Sequence, residues 1–193
     1  KIVDVFNGQI ELPKYSRMVS RSEIEANDYN LNIPRYIDSS EPEDLHDIEA
    51  HLRGGIPNRD IEELSGYWRV FPTLKNDLFE DNARPGYSDL RVALDEIKAS
   101  ILTHPEFVAF TEQADEVFAD WRERQRPRLV GLAVDDRPKS LIEPSTEDLL
   151  EAFAPLRLID KYDVYQHLMA YWTETMQDDV YMIVAEGWLE ANK

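Results

Sequence analysis

The 193 residues include four histidines, 39 aspartates and glutamates and no cysteine, so any chemistry carried by this chain must be built from carboxylates, imidazoles and hydroxyls. Glu43-x-x-His46 has the spacing that brings both side chains to one helix face, as in di-metal carboxylate bundles. Such a site needs a second Glu-x-x-His and further inward carboxylates, yet Ile101 and Val164 stand three residues before His104 and His167. The pair therefore reads as part of a solvated acidic helix face. Asp178-Asp179 could ligate a divalent cation, but a helix-start or surface role is the preferred reading, since acids are favoured at a helix N-terminus. The lack of cysteine excludes a disulfide framework, thiolate zinc, iron–sulfur ligation and a cysteine nucleophile. There is no HExxH, no GxSxG and no phosphate-cradling glycine loop, and the seven glycines stand singly apart from Gly54-Gly55. So few glycines argue against a cofactor-binding α/β domain. No catalytic, cofactor-binding or metal-ligating residue is expected here.

Composition does not explain the run Asn27, Asp28, Tyr29, Asn30, Leu31, Asn32, Ile33, Pro34, Arg35, Tyr36. Three asparagines, two tyrosines and an arginine supply many donors and acceptors that are costly to bury unpaired. One reading is a polar loop hydrogen-bonded to its own backbone. The other is an extended docking strand whose amides and Arg35 satisfy groups on another domain. Further on, Tyr162, Tyr165, Leu168, Met169, Trp172 and Met176, then Val180, Ile183, Val184 and Trp188, form an aromatic stripe at helical spacing. This is read as core or partner surface rather than a cofactor box.

Charge and length restrict the class further. With 21 Lys+Arg against 39 Asp+Glu the formal charge is −18, and the surface as a whole repels phosphate. The basic concentration Arg122, Arg124, Arg126 and Arg128, with Arg137 and Lys139 nearby, is interrupted by acids. It is read as a solvated helix end or loop, favoured there by the helix dipole, in preference to a phosphate site. The longest apolar runs, residues 129–134 and 180–185, fall far short of the roughly 20 residues that span a bilayer, so a soluble cytoplasmic protein without membrane contact is expected. The chain opens on Lys1 with no initiator methionine and no leader pattern, and reads as a piece cut from a longer one.

The elements that would position these residues are mostly helical. The fold expected is mainly α, a multi-helix bundle-like C-terminal module behind a short extended or irregular N-terminal segment. Ser40 with Glu43 is a capping-box signal for a helix carrying Leu45, Ile48 and Leu52 and closed by Gly54-Gly55. Asn58 can cap a second helix with Ile61, Leu64, Trp68 and Phe71. Arg84-Pro85-Gly86 is a turn, after which Ser88 can cap a helix carrying Leu90, Leu94, Ile97 and Ile101. A longer element from Phe107 through Trp121 runs on toward Pro127. Residues 135–146 (DDRPKSLIEPST) are the linker candidate, with Ser145 and Asp148 opening the next helix. Near the start, Asn7-Gly8 between alternating apolar residues is a hairpin signal, Ser22 can cap a short helix, and the residues before Pro34 should be extended. The division expected is 1–37 as a linker or docking segment, 38–134 as a helical subdomain and 135–193 as a C-terminal helical subdomain.

Residues 15–38, YSRMVSRSEIEANDYNLNIPRYID, closely resemble the segment that follows the catalytic domain in the modification subunit of type I restriction-modification systems, the adenine-specific DNA methyltransferases. Residues 158–188, including YDVYQHLMAYWTETMQDDVYMI, are similar to the distal tail of the larger members. The S-adenosylmethionine glycine loop and the Asn-Pro-Pro-Phe/Tyr motif that hold cofactor and flipped adenine in that family are absent. The resemblance therefore implies a C-terminal portion that does not methylate alone, with S-adenosylmethionine belonging to the parent protein. Implied partners are the methyltransferase domain of the same chain, the specificity subunit, a second modification subunit, the restriction subunit, and DNA through the complex. Under it, Asn27, Tyr29, Asn30, Asn32, Arg35 and Tyr36 dock against the catalytic domain or a nearby DNA backbone, and Tyr165, Trp172 and Trp188 belong to an aromatic partner surface. It also makes residues 1–6 the end of a helix, preferred over the hairpin because a hairpin cut at its first residue is marginal alone.

Two competing readings are a free-standing acidic helical interaction protein or DNA mimic, suggested by the −18 charge, and a helical metal enzyme. Mimicry needs rows of unpaired carboxylates at phosphate-like spacing, whereas 21 basic residues are interspersed here. Chain purified without chelator is expected to carry no stoichiometric transition metal by plasma emission; one equivalent per chain would establish a metal site.

Overall fold

Where a short helix stops decides how the first residues run. In the computed structural model, which describes residues 1–39 and 46–191, Ile2–Asn7 forms α1, and the Gly8 N–H reaches the Asp4 carbonyl at 2.8 Å. Gly8 has φ −81°. A type I′ Asn-Gly hairpin needs positive φ at both central residues, so the helix end forms instead of the hairpin. The chain divides into two compact units, Lys1–His46 and Asp47–Lys193.

In the first unit the chain reverses after α1 through an isolated antiparallel bridge between Leu12 and Ser16. Helix α2 spans Arg21–Ala26, and its cap is Ser20, whose hydroxyl accepts from the Glu23 N–H at 3.2 Å. The expected cap, Ser22, lies inside the helix. Asn32 is extended as its place before a turn requires, but Ile33–Arg35 curls into one 3₁₀ turn, so the segment is not a strand. The expected capping box of Ser40 and Glu43, and Leu45, lie outside the described residues.

The second unit begins with α3, Ile48–Arg53, capped by Asp47, whose carboxylate accepts the Ala50 N–H at 2.9 Å. Gly54 and Gly55 close it at φ +75° and +84°. A Cβ on Gly55 would meet the Arg84 and Tyr87 side chains at 3.3 Å, so this close approach requires glycine. After α4 (Asn58–Glu63), α5 (Ser65–Trp68) and α6 (Leu74–Leu78), a small sheet takes over. Its strands are β1 (Ile56–Pro57), β2 (Phe79–Asp81) and β3 (Tyr87–Leu90), antiparallel in the order β1-β3-β2, with Ile56 opposite Ser88 and Phe79 opposite Leu90. Ser88 is therefore a central-strand residue and not a helix cap; its hydroxyl donates to Asn58 Oδ1 at 2.8 Å. The following helix, α7, is confined to Ile97–Thr103, and Leu94 stays exposed. Strands of two to four residues carry too little alternation to outweigh a helical stripe, and pairing from both sides holds β3 extended.

Helix α8 spans Pro105–Val130, about 39 Å, and continues past Pro127 by one turn. Proline at its first position loses no needed hydrogen bond, and His104 Nδ1 accepts the Glu106 N–H at 3.2 Å as the cap. Helix α9, Pro138–Phe153, occupies most of the expected linker and contains Pro144 in its interior. Ser145 does not open this helix; it is buried within it, and its hydroxyl donates to the Leu141 carbonyl at 2.7 Å. Helix α10 (Lys161–Tyr171) passes through a π turn at Trp172–Met176 into α11 (Gln177–Glu186), and α12 (Trp188–Ala191) follows Gly187. Asp178 and Asp179 sit in the first turn of α11. Among the described residues no helix is long and apolar enough to cross a membrane.

The architecture is mainly α, and the cores of the second unit are three linked clusters. Phe71, Leu74 and Leu78 gather beneath the sheet and α7; Trp121, Leu149, Phe153 and Leu156 join α8 to α9; Leu141, Trp172, Val180, Ile183 and Val184 join α9 to α11. Phe110 belongs to the rim of the first two. Leu149 is 1% exposed at the centre of the α8–α9 cluster. Leu149→Ala is expected to destabilise this unit by about 2–5 kcal/mol, read as a lower urea midpoint by tryptophan fluorescence, since all four tryptophans lie in it.

Candidate interaction surfaces

In the first unit the Asn27–Tyr36 run binds largely to itself. Asn27 ends α2, and its amide donates to the Glu23 carbonyl at 2.9 Å. Asp28 and Tyr29 take φ +55° and +56°, which lets the Tyr29 N–H reach the Ile24 carbonyl at 2.9 Å and close the helix end. The Asn30 carboxamide oxygen accepts the Asn32 N–H at 3.0 Å, an Asx turn, and the Tyr36 hydroxyl donates to the Asn30 carbonyl. Arg17 clamps the loop from outside, donating to the Tyr36 carbonyl at 3.1 Å and pairing with Glu23 at 2.8 Å. The self-satisfied reading thus accounts for Asn27, Asn30 and Tyr36. Among the described residues the Asn32 and Arg35 side chains make no hydrogen bond, and both are exposed.

The same unit carries an apolar surface that the sequence reading did not single out. Val5 is its buried apolar residue. Ile2 is 75% and Phe6 81% exposed. With Ile10, Tyr15, Met18 and Ile33 they line a shallow depression of about 700 Å³. A contiguous exposed patch of this kind marks a contact surface. Helical spacing of Ile2 and Phe6 was the available signal; it was obscured because the alternating hairpin pattern used the same residues.

The second unit separates the three predicted aromatic residues. Trp172 is buried in the α9–α11 core. Tyr165 is half-buried on α10. Trp188 is 43% exposed, with its indole N–H on the Leu132 carbonyl at 3.0 Å. Between α8, α9 and α10 lies a groove of about 380 Å³ walled by Phe118, Trp121, Leu129, Ile142, Leu168 and Tyr171. Its floor is polar and internally hydrogen-bonded. Gln125, 3% exposed, accepts from Arg128 at 2.6 Å and donates to Asp148 at 3.0 Å, and its carbonyl oxygen lies 3.1 Å from the Ser145 hydroxyl, whose single proton it shares with the Leu141 carbonyl. The Trp121 indole donates to the Ser145 carbonyl at 3.0 Å. The Gln125 hydrogen bond, with Arg128 beside it, holds the Asp148 carboxyl below the usual range against partial desolvation.

Other titratable groups brace the fold. Glu106 is pushed up by partial desolvation, but hydrogen bonds from Thr73 and Leu74 at the start of α6 outweigh this and hold it low. His104 Nε2 faces Asp77 at 3.1 Å; since Nδ1 accepts from Glu106, Nε2 is the donor. The Ala50 hydrogen bond leads those lowering Asp47, and in turn Asp47 raises Tyr87, whose hydroxyl donates to it at 3.0 Å. No group of three or more candidate ligands able to hold a metal occurs among the described residues. For Asp148 the sign is clear: its stabilisation is present above the unfolded carboxylate value near ~3.9 and is lost as pH falls through the lower folded value. Urea unfolding of Asp148→Asn and wild type is expected to differ most at neutral pH and to converge as pH drops below about 4.

Residues 1–45 match the family described as N-6 DNA Methylase, and the match stops within one residue of the boundary between the two compact units. No curated protein and no solved structure matches the chain. Residues 1–45 are thus similar to the DNA N6 methyltransferase family, and the helical second unit lies beyond the matched residues.

Proposed function

We propose that this chain is the C-terminal portion of a type I restriction-modification DNA adenine-N6 methyltransferase subunit. Its first unit docks against the catalytic domain of the same protein, and its helical unit serves assembly with the specificity subunit. The observation that carries the reading is the family match over residues 1–45. The physical state of that unit supports it. Ordering a residue's backbone costs roughly 1–2 kcal/mol, and a unit whose apolar side chains lie mostly on its surface needs a further surface to cover them. On this reading the catalytic domain is that cover.

S-adenosylmethionine and the target base belong to that catalytic domain. The residues present do not fit the cofactor, since the chain has neither a glycine loop nor an Asn-Pro-Pro motif, so no step of methyl transfer runs through them. Asn32 and Arg35, exposed and without side-chain hydrogen bonds among the described residues, are the polar contacts proposed for docking, beside Ile2 and Phe6. Exposed Trp188 and half-buried Tyr165 remain for assembly, while buried Trp172 shapes the unit from inside. The chain-wide charge of −18 disfavours contact with free DNA and favours a basic partner over most of the surface. DNA mimicry is weaker, because carboxylates such as Asp47, Glu106 and Asp148 are committed to caps and pairs.

In the full-length protein, Phe6→Asp and the double substitution Asn32→Ala/Arg35→Ala are expected to lower methylation together with recovery of the complex with the specificity subunit. The reading frame upstream of Lys1 is expected to encode the glycine loop and Asn-Pro-Pro-Phe/Tyr. Unchanged assembly and methylation in both variants would remove the docking role, and a start codon immediately upstream would remove the methyltransferase reading.

A further inference from the structure

The groove between α8, α9 and α10 has an unusual charge for this molecule. The chain carries 18 more acids than bases, yet no carboxylate lines the groove, and its charged lining residue is Arg122. Arg122 is exposed and makes no ion pair among the described residues. Arg126 follows one turn later on the same side of α8, held only by a surface contact to Glu123 at 3.8 Å.

The walls are apolar, and the polar groups of the floor are hydrogen-bonded among themselves. Gln125, Ser145 and the Trp121 indole are satisfied by one another and by Asp148 and Arg128. Phe118 stacks on Trp121 at 5.6 Å, and Tyr171 is 55% exposed at the opposite wall. From Phe118 to Leu129 the lining follows α8 for about 16 Å, roughly three helical turns. This is the form of a helix-binding groove, which takes apolar anchors at i, i+3/4 and i+7.

We propose that this groove is a docking site for an acidic amphipathic helix of a protein partner, its apolar stripe lying on the exposed Phe118 and Tyr171 and its flanking carboxylates facing Arg122 and Arg126. Charge complementarity selects this occupant. A basic helix would be repelled by the two arginines, and an uncharged one would leave the rim unused. The inference is independent of the methyltransferase reading, because it needs only the helical unit.

The test is selection of a displayed library of randomised 14-residue helices on the 193-residue chain, with the double variant Arg122→Glu/Tyr171→Ala as counter-target. Both positions are exposed, and a thermal melt by circular dichroism matching the unsubstituted chain shows the variant folded; Arg122→Glu alone serves if the double variant melts early. Selected peptides are expected to carry an apolar i, i+3/4, i+7 stripe flanked by Asp or Glu. The leading synthetic peptide should bind Arg122→Glu roughly tenfold more weakly by fluorescence anisotropy. Enrichment of basic or charge-indifferent peptides, or none above the counter-target, overturns the proposal. So does a concentration-dependent dimer, or duplex DNA binding, abolished by the same substitutions, since either assigns the groove to a different occupant.

Discussion

One buried carboxamide organises the helical unit. Gln125 reaches its partners across 20 and 23 residues of chain, Ser145 and Asp148 on the neighbouring helix, and Arg128 closes the group from its own helix. A buried amide without partners costs roughly 1–3 kcal/mol, so α8 and α9 are held to the one register in which Gln125 is satisfied. That register places Trp121 beside Leu149 and Phe153 on one side and leaves Leu141 to meet Trp172 and Val184 on the other. The clusters of the bundle and the groove between them follow from it. Apolar packing supplies the magnitude of the stability, and the polar group supplies the choice among packings.

The first unit poses the opposite problem. Its polar groups are well served by caps, an Asx turn and the Arg17 clamp, so its backbone has a defined path. Its apolar side chains are not served, for Ile2, Phe6, Leu31 and Ile33 remain mostly exposed. Local hydrogen bonding can shape a segment of this size, but it cannot supply a core. The family match stops within one residue of the end of this unit.

The legible parts of the fold were those encoded over a few residues. The helical periods around Ile61, Phe107 to Trp121 and Val180 to Val184, the stop at His104-Pro105 and the turn at Arg84-Pro85-Gly86 are all local signals, and the helices form there. The missed parts depend on distant partners. Ser88 looks like a cap until Ile56 and Asp81 pair on either side of it. Pro144 looks like a breaker, but Ser145 and Leu149 are anchored to α8 strongly enough for the helix to run through it. The π turn at Trp172–Met176 left no periodic trace, though the Thr173 hydroxyl bonding back to the Met169 carbonyl at 3.0 Å marks the place where the helix loosens.

The candidate surfaces divide in the same way. Residue types alone established a mainly α, acidic chain without a glycine loop, and a polar run at Asn27–Tyr36 with more hydrogen-bonding capacity than a plain loop needs. Local hydrogen bonds spanning two to six residues spend Asn27, Asn30 and Tyr36 on the backbone and leave the Asn32 and Arg35 side chains exposed. Tertiary structure buried Trp172 and exposed Trp188, which sequence treats alike, and it collected Phe118, Trp121 and Tyr171 beside Arg122, which makes no ion pair among the described residues. The physical reason is range. Helix periodicity and capping are written within one or two turns, whereas burial and hydrogen-bond satisfaction belong to pairs of residues that meet only after the chain has folded back on itself.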